Sequence, residues 1–338
     1  MIVTFGEILM RLTPPGYLRL GQTRQLEMTF GGAEANAAVS LANYGKAARL
    51  VTALPDNDIG AACLGELRRW GVDTSAVLTR PGRMGLYFCE RGASQRPSKV
   101  LYDRAETVIA HMDEGDFDWS CLLDGAEWFH FTGITPALSD GLARAALAAC
   151  REAKRRGIPV SCDLNYRRKL WGREKAGRVL AGLLPYADVL IANGEEAAEL
   201  FGIRPAGAAI ADGQASLDGC RSVAEQLTAR FDLQKVAVTR RESVSASCNR
   251  WAAVLYDGGR LYASRQYTIQ IVERVGGGDG FAGGLIYALT EGFDNQAALE
   301  FAAAAACLKH TIEGDFNAVS AAEVLALMEG DGTGRVQR

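Results

Sequence analysis

Few histidines and no closely spaced cysteines limit the metal chemistry open to this chain. Its 338 residues include three histidines, and its eight cysteines are scattered singly without a Cys-x-x-Cys pair. Zinc centres and disulfide frameworks are typically marked by such residues at short, regular spacings. We therefore exclude a histidine-rich metal site and interpret the cysteines as small buried side chains in a reducing compartment.

Long apolar runs and an excess of positive charge are also missing. No apolar run approaches the ~18 residues of a membrane span, and no cationic segment leads into an apolar one near the N-terminus. The 37 lysines and arginines are outnumbered by 40 aspartates and glutamates, which gives a formal net charge of −3. We therefore expect a cytoplasmic protein that binds neither membranes nor nucleic acid.

Two common nucleotide-binding motifs are absent as well. The chain has no Gly-Lys-Ser/Thr phosphate-binding loop, and no Gly-x-Gly-x-x-Gly follows its first predicted strand. Each of these motifs places backbone N–H groups against phosphates at a characteristic strand-to-helix turn. Walker-type and dinucleotide-binding proteins are therefore excluded on motif grounds.

Strands and helices alternate along most of the sequence. The predicted strands cover residues 2–12, 49–54, 128–132, 158–163, 189–192 and 235–239. The predicted helices cover residues 33–44, 59–70, 139–156, 173–184, 195–201, 217–231, 280–291, 295–309 and 320–329. This alternation predicts an α/β fold in three αβα layers, with a mostly parallel central sheet whose ligands bind beyond the carboxyl ends of the strands.

Two strand-rich stretches do not fit that alternation. Residues 13–32 and 81–106 contain short strands around polar loops, and the second stretch has the pattern of a hairpin. We expect both to form a small β-sheet lid over the site. The αβα core then consists of residues 1–12, 33–80 and 107–338.

Three consecutive glycines precede an apolar helical pattern in Gly276-Gly277-Gly278-Asp279. Without Cβ atoms the backbone can turn its N–H groups towards one point and form an anion site at a helix N-terminus. Asp279 would repel a bound phosphate, but it suits a general base beside an anion hole. Aspartate is also a preferred N-cap, and the three glycines favour the catalytic interpretation over that structural one.

A second glycine motif, Gly31-Gly32-Ala33-Glu34-Ala35-Asn36, lies where the first long helix begins. A glycine pair lets a ligand approach the backbone closely, and Asn36 can both donate to and accept from a hydroxyl-rich ligand. The alternative is a plain loop-to-helix junction. Taken alone, this motif does not decide between the two.

Together the two glycine motifs resemble the paired signatures of the ribokinase-like (PfkB) carbohydrate kinases, over essentially the whole chain. Further runs make it similar to members that act on 2-keto-3-deoxy sugar acids, at residues 6–12, 91–100, 102–104, 308–311 and 314–317. The resemblance implies a ribokinase-like fold, with ATP and Mg²⁺ as phosphate donor and metal. It also implies transfer of the γ-phosphoryl group to the primary hydroxyl of the sugar acid.

The resemblance also assigns roles to individual residues. Asp279 matches the family's general base, and Gly276, Gly277 and Gly278 match its anion hole. The substrate contacts that it implies are Gly32, Asn36, Tyr87, Tyr102, Arg104 and Arg167. Arginine suits a carboxylate because its planar fork donates two parallel hydrogen bonds. A single arginine is more commonly part of a solvated salt bridge, but several that match one pocket favour substrate binding.

The nucleotide contacts implied by the resemblance are more dispersed. Asn193 and Glu196 match the family's Asn-x-x-Glu motif near Mg²⁺, with Glu196 beside the metal, although the same spacing is also a helix capping box. Many relatives have a glycine-rich loop after the strand at 235–239, and this chain has none. Side-chain contacts are therefore expected instead, and the remaining nucleotide candidates are Thr239, Arg241, Glu242, Lys309 and His310. Lys309 and His310 could alternatively form an exposed helix end.

The sequence leaves several questions about function open. A fructokinase or ribokinase would explain the core motifs but not the set Tyr102, Arg104 and Arg167. A sugar-acid sensor on the same fold would have no need of Asp279. Neither the epimer of the sugar acid nor a requirement for a monovalent cation follows from the sequence, and Glu106 adds an unexpected negative charge near the predicted carboxylate site.

We also expect the chain to form a homodimer through the lid. A small sheet that covers substrate with one face leaves its other face and its edges to be protected. Leu86 and Phe88 alternate with Tyr87 and are too large to be left in water together. Pairing with the same sheet of a second copy would cover them.

Overall fold

The computed structural model describes residues 1–205, 210–211 and 214–330. Its strands are β1 (Ile2–Phe5), β2 (Leu9–Thr13), β3 (Glu27–Gly31), β4 (Ala48–Pro55), β5 (Val77–Arg80), β6 (Leu86–Glu90), β7 (Lys99–Asp103), β8 (Trp128–Thr132), β9 (Val160–Asp163), β10 (Val189–Ala192), β11 (Ile210–Ala211), β12 (Gln214–Ala215), β13 (Lys235–Ser245), β14 (Cys248–Tyr256), β15 (Leu261–Ala263) and β16 (Tyr267–Gln270).

The helices are α1 (Ala33–Asn43), α2 (Asp58–Arg69), α3 (Trp119–Leu122), α4 (Thr135–Leu138), α5 (Asp140–Arg156), α6 (Arg173–Leu183), α7 (Gly194–Phe201), α8 (Leu217–Phe231), α9 (Gly277–Thr290), α10 (Asn295–Lys309) and α11 (Ala321–Glu329). Within the described ranges, no helix is long and apolar enough to cross a bilayer.

A ten-stranded sheet forms the middle layer, in the order β15-β14-β13-β10-β9-β8-β1-β4-β5, with β16 also paired to β14. The strands from β13 to β5 in this order pair in parallel. β14 is antiparallel to β13, and β15 and β16 are antiparallel to β14. The predicted αβα architecture with a mostly parallel sheet is confirmed, whereas the antiparallel strands after β13 were not predicted.

Helices cover both faces of this sheet and create two hydrophobic cores. Val3 and Phe5 of β1 belong to one core, together with residues of α5, α6 and α8. Ile2 belongs to the other core, which contains residues of α1, α9 and α10. Because successive side chains of a strand point to opposite faces, the buried strands supply apolar residues to both layers.

A separate four-stranded sheet, called the small sheet below, has the order β3-β2-β6-β7. β2 pairs antiparallel with β3 and parallel with β6, and β6 and β7 form the antiparallel hairpin that the sequence predicts. Residues 81–106 therefore contribute to a sheet outside the central one, as expected.

The single strand predicted over residues 2–12 is wrong. The chain leaves the central sheet after Phe5 and re-enters strand conformation at Leu9 in the small sheet, so residues 9–12 do not belong to the core layer. The break falls at Gly6, which packs against the side chain of Glu34. A Cβ at Gly6 would be only 2.1 Å from the Glu34 Oε2 atom. An apolar pattern that continues through both strands hides this change of sheet.

Candidate active site

A cavity of about 880 Å³ lies between the small sheet and the carboxyl ends of the parallel strands. It is lined by residues from both glycine motifs, from the small sheet and from the loops after β9 and β10. Among the lining residues are most of those that the sequence selects: Gly32, Asn36, Tyr87, Tyr102, Arg104, Arg167, Asn193, Glu196, Thr239, Arg241, Gly276, Gly277, Gly278 and Asp279. The parallel sheet thus brings distant motifs to one edge.

The three glycines form the N-terminus of α9. Gly276 is its N-cap residue with a φ of 86°, a left-handed conformation that favours glycine. A Cβ at Gly277 would lie 2.2 Å from the Cε1 atom of His310, whereas a Cβ at Gly278 would have no heavy atom within 4 Å. The backbone is therefore tightly packed behind Gly277 and open to the cavity at Gly278, as an anion site requires.

Asp279 lies in the first turn of α9 and contacts the second glycine motif. The Asn36 Nδ2 group donates a hydrogen bond of 2.6 Å to the Asp279 Oδ2 atom. In turn, the N–H group of Gly32 donates to the Asn36 Oδ1 atom over 3.2 Å. Burial raises the pKa of Asp279 to about 6, against the lowering effects of Asn36 and Arg167. This carboxylate is ionised at neutral pH and basic enough to accept a proton.

Tyr102 and Arg104 approach the cavity from the end of β7. The Arg104 guanidinium forms an ion pair with Glu7, and its carbon lies 5.2 Å from the centroid of the Tyr102 ring. Thr107 also donates from its hydroxyl to Glu7, over 3.2 Å. Because Glu7 is buried, the charge of Arg104 is already largely balanced within the protein.

Arg167 follows β9 and differs from Arg104 in its surroundings. Its side chain is exposed at the cavity, and within the described part of the chain no carboxylate forms a salt bridge with it. Its charge nevertheless lowers the pKa of Asp279. Arg167 therefore presents a guanidinium fork without a direct salt bridge next to the predicted base, which suits an anionic ligand.

Asn193 and Glu196 form the capping box at the start of α7. The Glu196 Oε2 atom accepts from the Asn193 N–H group over 3.1 Å, and its Oε1 atom accepts from the Tyr166 N–H group over 3.0 Å. Burial raises the pKa of Glu196, and these backbone hydrogen bonds oppose that effect. No group of three or more histidine, cysteine, aspartate or glutamate side chains in the described ranges could hold a metal ion.

The structure does not bring Glu242, Lys309 and His310 to the cavity. Glu242 faces Arg250 across the antiparallel pair of β13 and β14 and forms an ion pair of 2.9 Å with it. Lys309 and His310 are 0% and 1% exposed. The packing of α10 against α9 buries both behind the glycines, so the alternative of an exposed helix end is wrong, and their nucleotide contact stays a prediction.

Thr239 and Arg241 do line the cavity, on the part of β13 that extends beyond its neighbour β10. Burial lowers the pKa of Arg241, and the nearby Arg167 adds to this effect. The two side chains therefore stay candidates for phosphate contacts, in place of the glycine-rich loop that the chain lacks.

Several cavity residues were not selected from the sequence, among them Asn165 and Asp163. Asn165 is buried and has an unusual positive φ of 35°, and within the described residues its Oδ1 atom has no hydrogen-bond partner. Burial, followed by the carboxylates of Glu196 and Asp279, raises the pKa of Asp163. Their position just after a buried strand, in Asp163-Leu164-Asn165, is the signal that could have identified them.

An αβα fold in which a carboxylate lies at a glycine-rich helix N-terminus has groups that phosphoryl transfer to a hydroxyl group could use. Residues 1–321 match the family described as pfkB family carbohydrate kinase, and the chain belongs to this family. It is a carbohydrate kinase, and the resemblance noted in the sequence is confirmed.

Within this family, several similar proteins are kinases of 2-dehydro-3-deoxy sugar acids. The chain is 33% identical to a 2-dehydro-3-deoxygalactonokinase of Haloferax volcanii, with 98% of both chains covered. It is 30% identical to a 2-dehydro-3-deoxygluconokinase of Thermoproteus tenax, covering 94% of this chain and 90% of that protein. The crystal structure of a 2-dehydro-3-deoxygluconokinase from Thermotoga maritima superimposes with a TM-score of 0.92 and 47% identity, covering 97% of this chain and 98% of the other.

Proposed function

We propose that this kinase transfers the γ-phosphoryl group of ATP to the primary hydroxyl of 2-keto-3-deoxy-D-gluconate, which gives 2-keto-3-deoxy-6-phosphogluconate and ADP. The observation that carries the proposal is that Asp279, the three glycines and Arg167 line one cavity, with Arg167 close enough to lower the pKa of Asp279. A base, an anion hole and a carboxylate receptor then surround one small volume. The relatives from Thermoproteus tenax and Thermotoga maritima, both named 2-dehydro-3-deoxygluconokinase, support this substrate.

Asp279 acts as the general base. Its carboxylate accepts the proton of the primary hydroxyl while the hydroxyl oxygen forms a bond to the γ-phosphorus. The bond from that phosphorus to the bridging β–γ oxygen breaks, and ADP leaves with the electron pair. The N–H groups of Gly276, Gly277 and Gly278 stabilise the charge on the transferring group, and most of the catalysis is positioning and electrostatics.

The carboxylate of the substrate binds to Arg167, and the lid residues close over the sugar chain. Arg104 is neutralised by Glu7, so its remaining N–H groups serve as hydrogen-bond donors for uncharged oxygens rather than as a second positive charge. Tyr102 packs beside Arg104, and Gly32 and Asn36 contact the end of the substrate that carries the reacting hydroxyl. A neutral sugar would leave the charge of Arg167 unused.

The nucleotide phosphates lie towards Asn193, Glu196, Thr239 and Arg241. A Mg²⁺ ion bound to these phosphates would need few protein ligands, because magnesium retains most of its waters. Glu196 would hold the water shell of the ion, since both of its carboxylate oxygens already accept from backbone N–H groups. The ion would neutralise part of the charge on the phosphates.

A coupled assay of ADP release tests the proposal directly. The panel contains 2-keto-3-deoxygluconate, its galactonate epimer, fructose and ribose, each with and without added potassium. The Haloferax volcanii relative makes the galactonate epimer a specific second candidate. Preference for a neutral sugar would overturn the sugar-acid assignment, and ligand binding without ADP release would indicate the non-catalytic sensor.

We further infer that two copies associate through the small sheet. Met28, Leu12, Phe88 and Leu101 are paired with one another across all four strands and form an apolar row. Met28 is 53% exposed and Leu101 is 40% exposed. A two-fold dimer would cover this row and would stabilise the small sheet over the substrate.

A further inference from the structure

We propose that Arg11 is a positioning residue that ties the small sheet to the glycine anion hole. The proposal rests on the kinase function above and adds a group that contacts neither substrate. Arg11 is in β2 of the small sheet and is 1% exposed, and it is not among the residues that line the cavity in the described part of the chain. Burying a guanidinium costs free energy unless its N–H donors are paired. The partners of Arg11 therefore indicate its role.

The Arg11 guanidinium bridges two carboxylates. Its Nη1 group donates to the Asp315 Oδ1 atom over 2.7 Å, and its Nη2 group forms an ion pair with Glu273. The remaining Nε group donates to the Thr13 hydroxyl over 2.7 Å. One side chain of the small sheet is therefore fixed to two segments of the core.

Both segments contact the backbone at the start of the glycine run. The Glu273 Oε1 atom accepts from the N–H groups of Arg274 and Val275, over 2.8 and 3.2 Å, immediately before the glycines. The carbonyl oxygen of Asp315 lies 2.3 Å from the position that a Cβ of Gly276 would occupy. Glu273 thus holds the backbone that leads into the glycines, and Asp315 packs directly against the first of them.

Asp315 also contacts a residue of the small sheet that lines the cavity. The Tyr87 hydroxyl donates to the Asp315 Oδ2 atom over 2.5 Å, and Tyr87 is the residue opposite Arg11 in the parallel pair of β2 and β6. Asp315 also packs against the other glycine motif, since its Oδ2 atom lies 2.0 Å from where a Cβ of Gly31 would be. The lid, the anion hole and the Gly31 motif therefore meet at one buried carboxylate.

Lys309 also belongs to this network, and its hydrogen bonds there explain why the side chain is buried. Its Nζ group donates to the carbonyl oxygens of Ile312 and Gly314, over 3.2 and 2.9 Å, in the loop that carries Asp315. Its Cε atom lies 2.8 Å from the position of a Cβ at Gly276. Arg91 joins the cluster, since its Nε atom lies 3.8 Å from the Glu273 Oε2 atom and its Nη1 atom pairs with Glu313 over 2.7 Å. With three cations and three carboxylates the cluster is neutral, and a hydrogen-bonded cluster of this kind holds its members in one arrangement.

The consequence concerns catalysis rather than binding. An anion hole is effective only when its N–H groups are fixed before the charge develops, and small misplacements of reacting groups are costly. Lysine has a single point of charge and cannot bridge both carboxylates as the guanidinium does. Arg11→Lys keeps the buried positive charge but uncouples one side of the loop.

The experiment compares Arg11→Lys and Tyr87→Phe with a control, Arg49→Lys. Arg49 pairs with Asp73 over 2.7 Å and does not line the cavity within the described residues, so its variant reports the general cost of replacing a paired arginine. We expect Arg11→Lys to lower kcat by about 10- to 100-fold, with much smaller changes in both KM values. Arg49→Lys should leave kcat unchanged. Tyr87→Phe, which removes one hydroxyl, should lower kcat less, and the double variant with Arg11→Lys should be non-additive.

Hydrogen exchange of the peptide 273–280 supplies a second readout that needs no substrate. We expect faster exchange there in Arg11→Lys than in Arg49→Lys. Unchanged exchange, or a kcat that falls only as far as the folded fraction falls, would overturn the positioning role. If the wild-type enzyme phosphorylates no sugar acid, the proposed function fails instead, and the exchange comparison still decides the role of Arg11.

Discussion

The Asn36 Nδ2 group and the Asp279 Oδ2 atom, 2.6 Å apart, join two glycine motifs that are 243 positions apart in the chain. The hydrogen bond occupies one oxygen of the carboxylate and fixes its plane. The Oδ1 atom is then the one available to accept a proton. A residue that resembles a simple helix cap in sequence is thereby held in an orientation that suits the proposed base.

Replacing Asp279 by asparagine should abolish turnover while leaving substrate binding nearly intact. The amide keeps the shape of the carboxylate and loses its basicity, and loss of a general base typically costs about 10²–10⁴ in rate. Steady-state kinetics together with calorimetric binding of the sugar acid measures both quantities. A variant that retained more than about a tenth of the wild-type kcat would be incompatible with Asp279 as the base.

The activity should fall as the pH drops through about 6, because the pKa of Asp279 is raised to about 6 and only the ionised form accepts the proton. The hydrogen bond from Asn36 lowers this pKa, so Asn36→Ala should move the acidic limb of the profile to higher pH. Profiles of kcat/KM for both proteins measure the shift, since this parameter reports groups of the free enzyme. An acidic limb at the same pH in both would show that Asn36 does not tune the base.

How far the sequence predicts the site depends on how local each feature is. The glycines and Asp279 form a motif whose proposed chemistry is contained in a few adjacent residues, so the sequence alone is enough to select them as candidates. Lys309 and His310 look like the charged end of a helix, and only the packing of α10 against α9 shows that they are buried. The bridge from Arg11 to Asp315 spans 304 positions, and no local pattern reports it.

Gly277→Ala should mainly lower the stability of the fold, whereas Gly278→Ala should mainly lower kcat. At Gly277 the new methyl group would overlap the ring of His310, so we expect a stability loss of about 1–3 kcal/mol from overpacking. At Gly278 the methyl group meets no neighbour, so the fold should persist, but it would project towards the bound phosphate and lower kcat. Thermal unfolding and kinetics of the pair measure both effects. Equal stability losses would contradict the assigned packing, and full activity of Gly278→Ala would remove this amide from the anion hole.

Arg167→Lys should raise the KM for the sugar acid far more than the KM for ATP. A point charge cannot reproduce the two parallel hydrogen bonds of the guanidinium, and a charged hydrogen bond is worth about 1.5–3 kcal/mol, or roughly 10- to 100-fold in affinity. Arg168→Lys is the matched control, because Arg168 is the next residue in the chain, its side chain is 75% exposed and it pairs with Glu199. Equal effects on both substrates, or equal effects of the two variants, would remove Arg167 from the carboxylate site.

The apolar row on the small sheet predicts a dimer that one charge should dissociate. Leu101 lies in this row, and burying a glutamate there against a second copy would leave its charge unpaired. Ile59 on α2 is also 40% exposed and lies outside the small sheet, so Ile59→Glu adds the same charge away from the predicted interface. We expect sedimentation at micromolar concentration to give a dimer for the wild type and for Ile59→Glu, and a 36.2 kDa monomer for Leu101→Glu.

If the small sheet needs its partner to stay over the substrate, the monomer should also hydrolyse ATP without sugar more readily, because water reaches the site. A wild-type protein that sediments as a monomer would rule out the dimer, and a Leu101→Glu dimer would place the interface elsewhere.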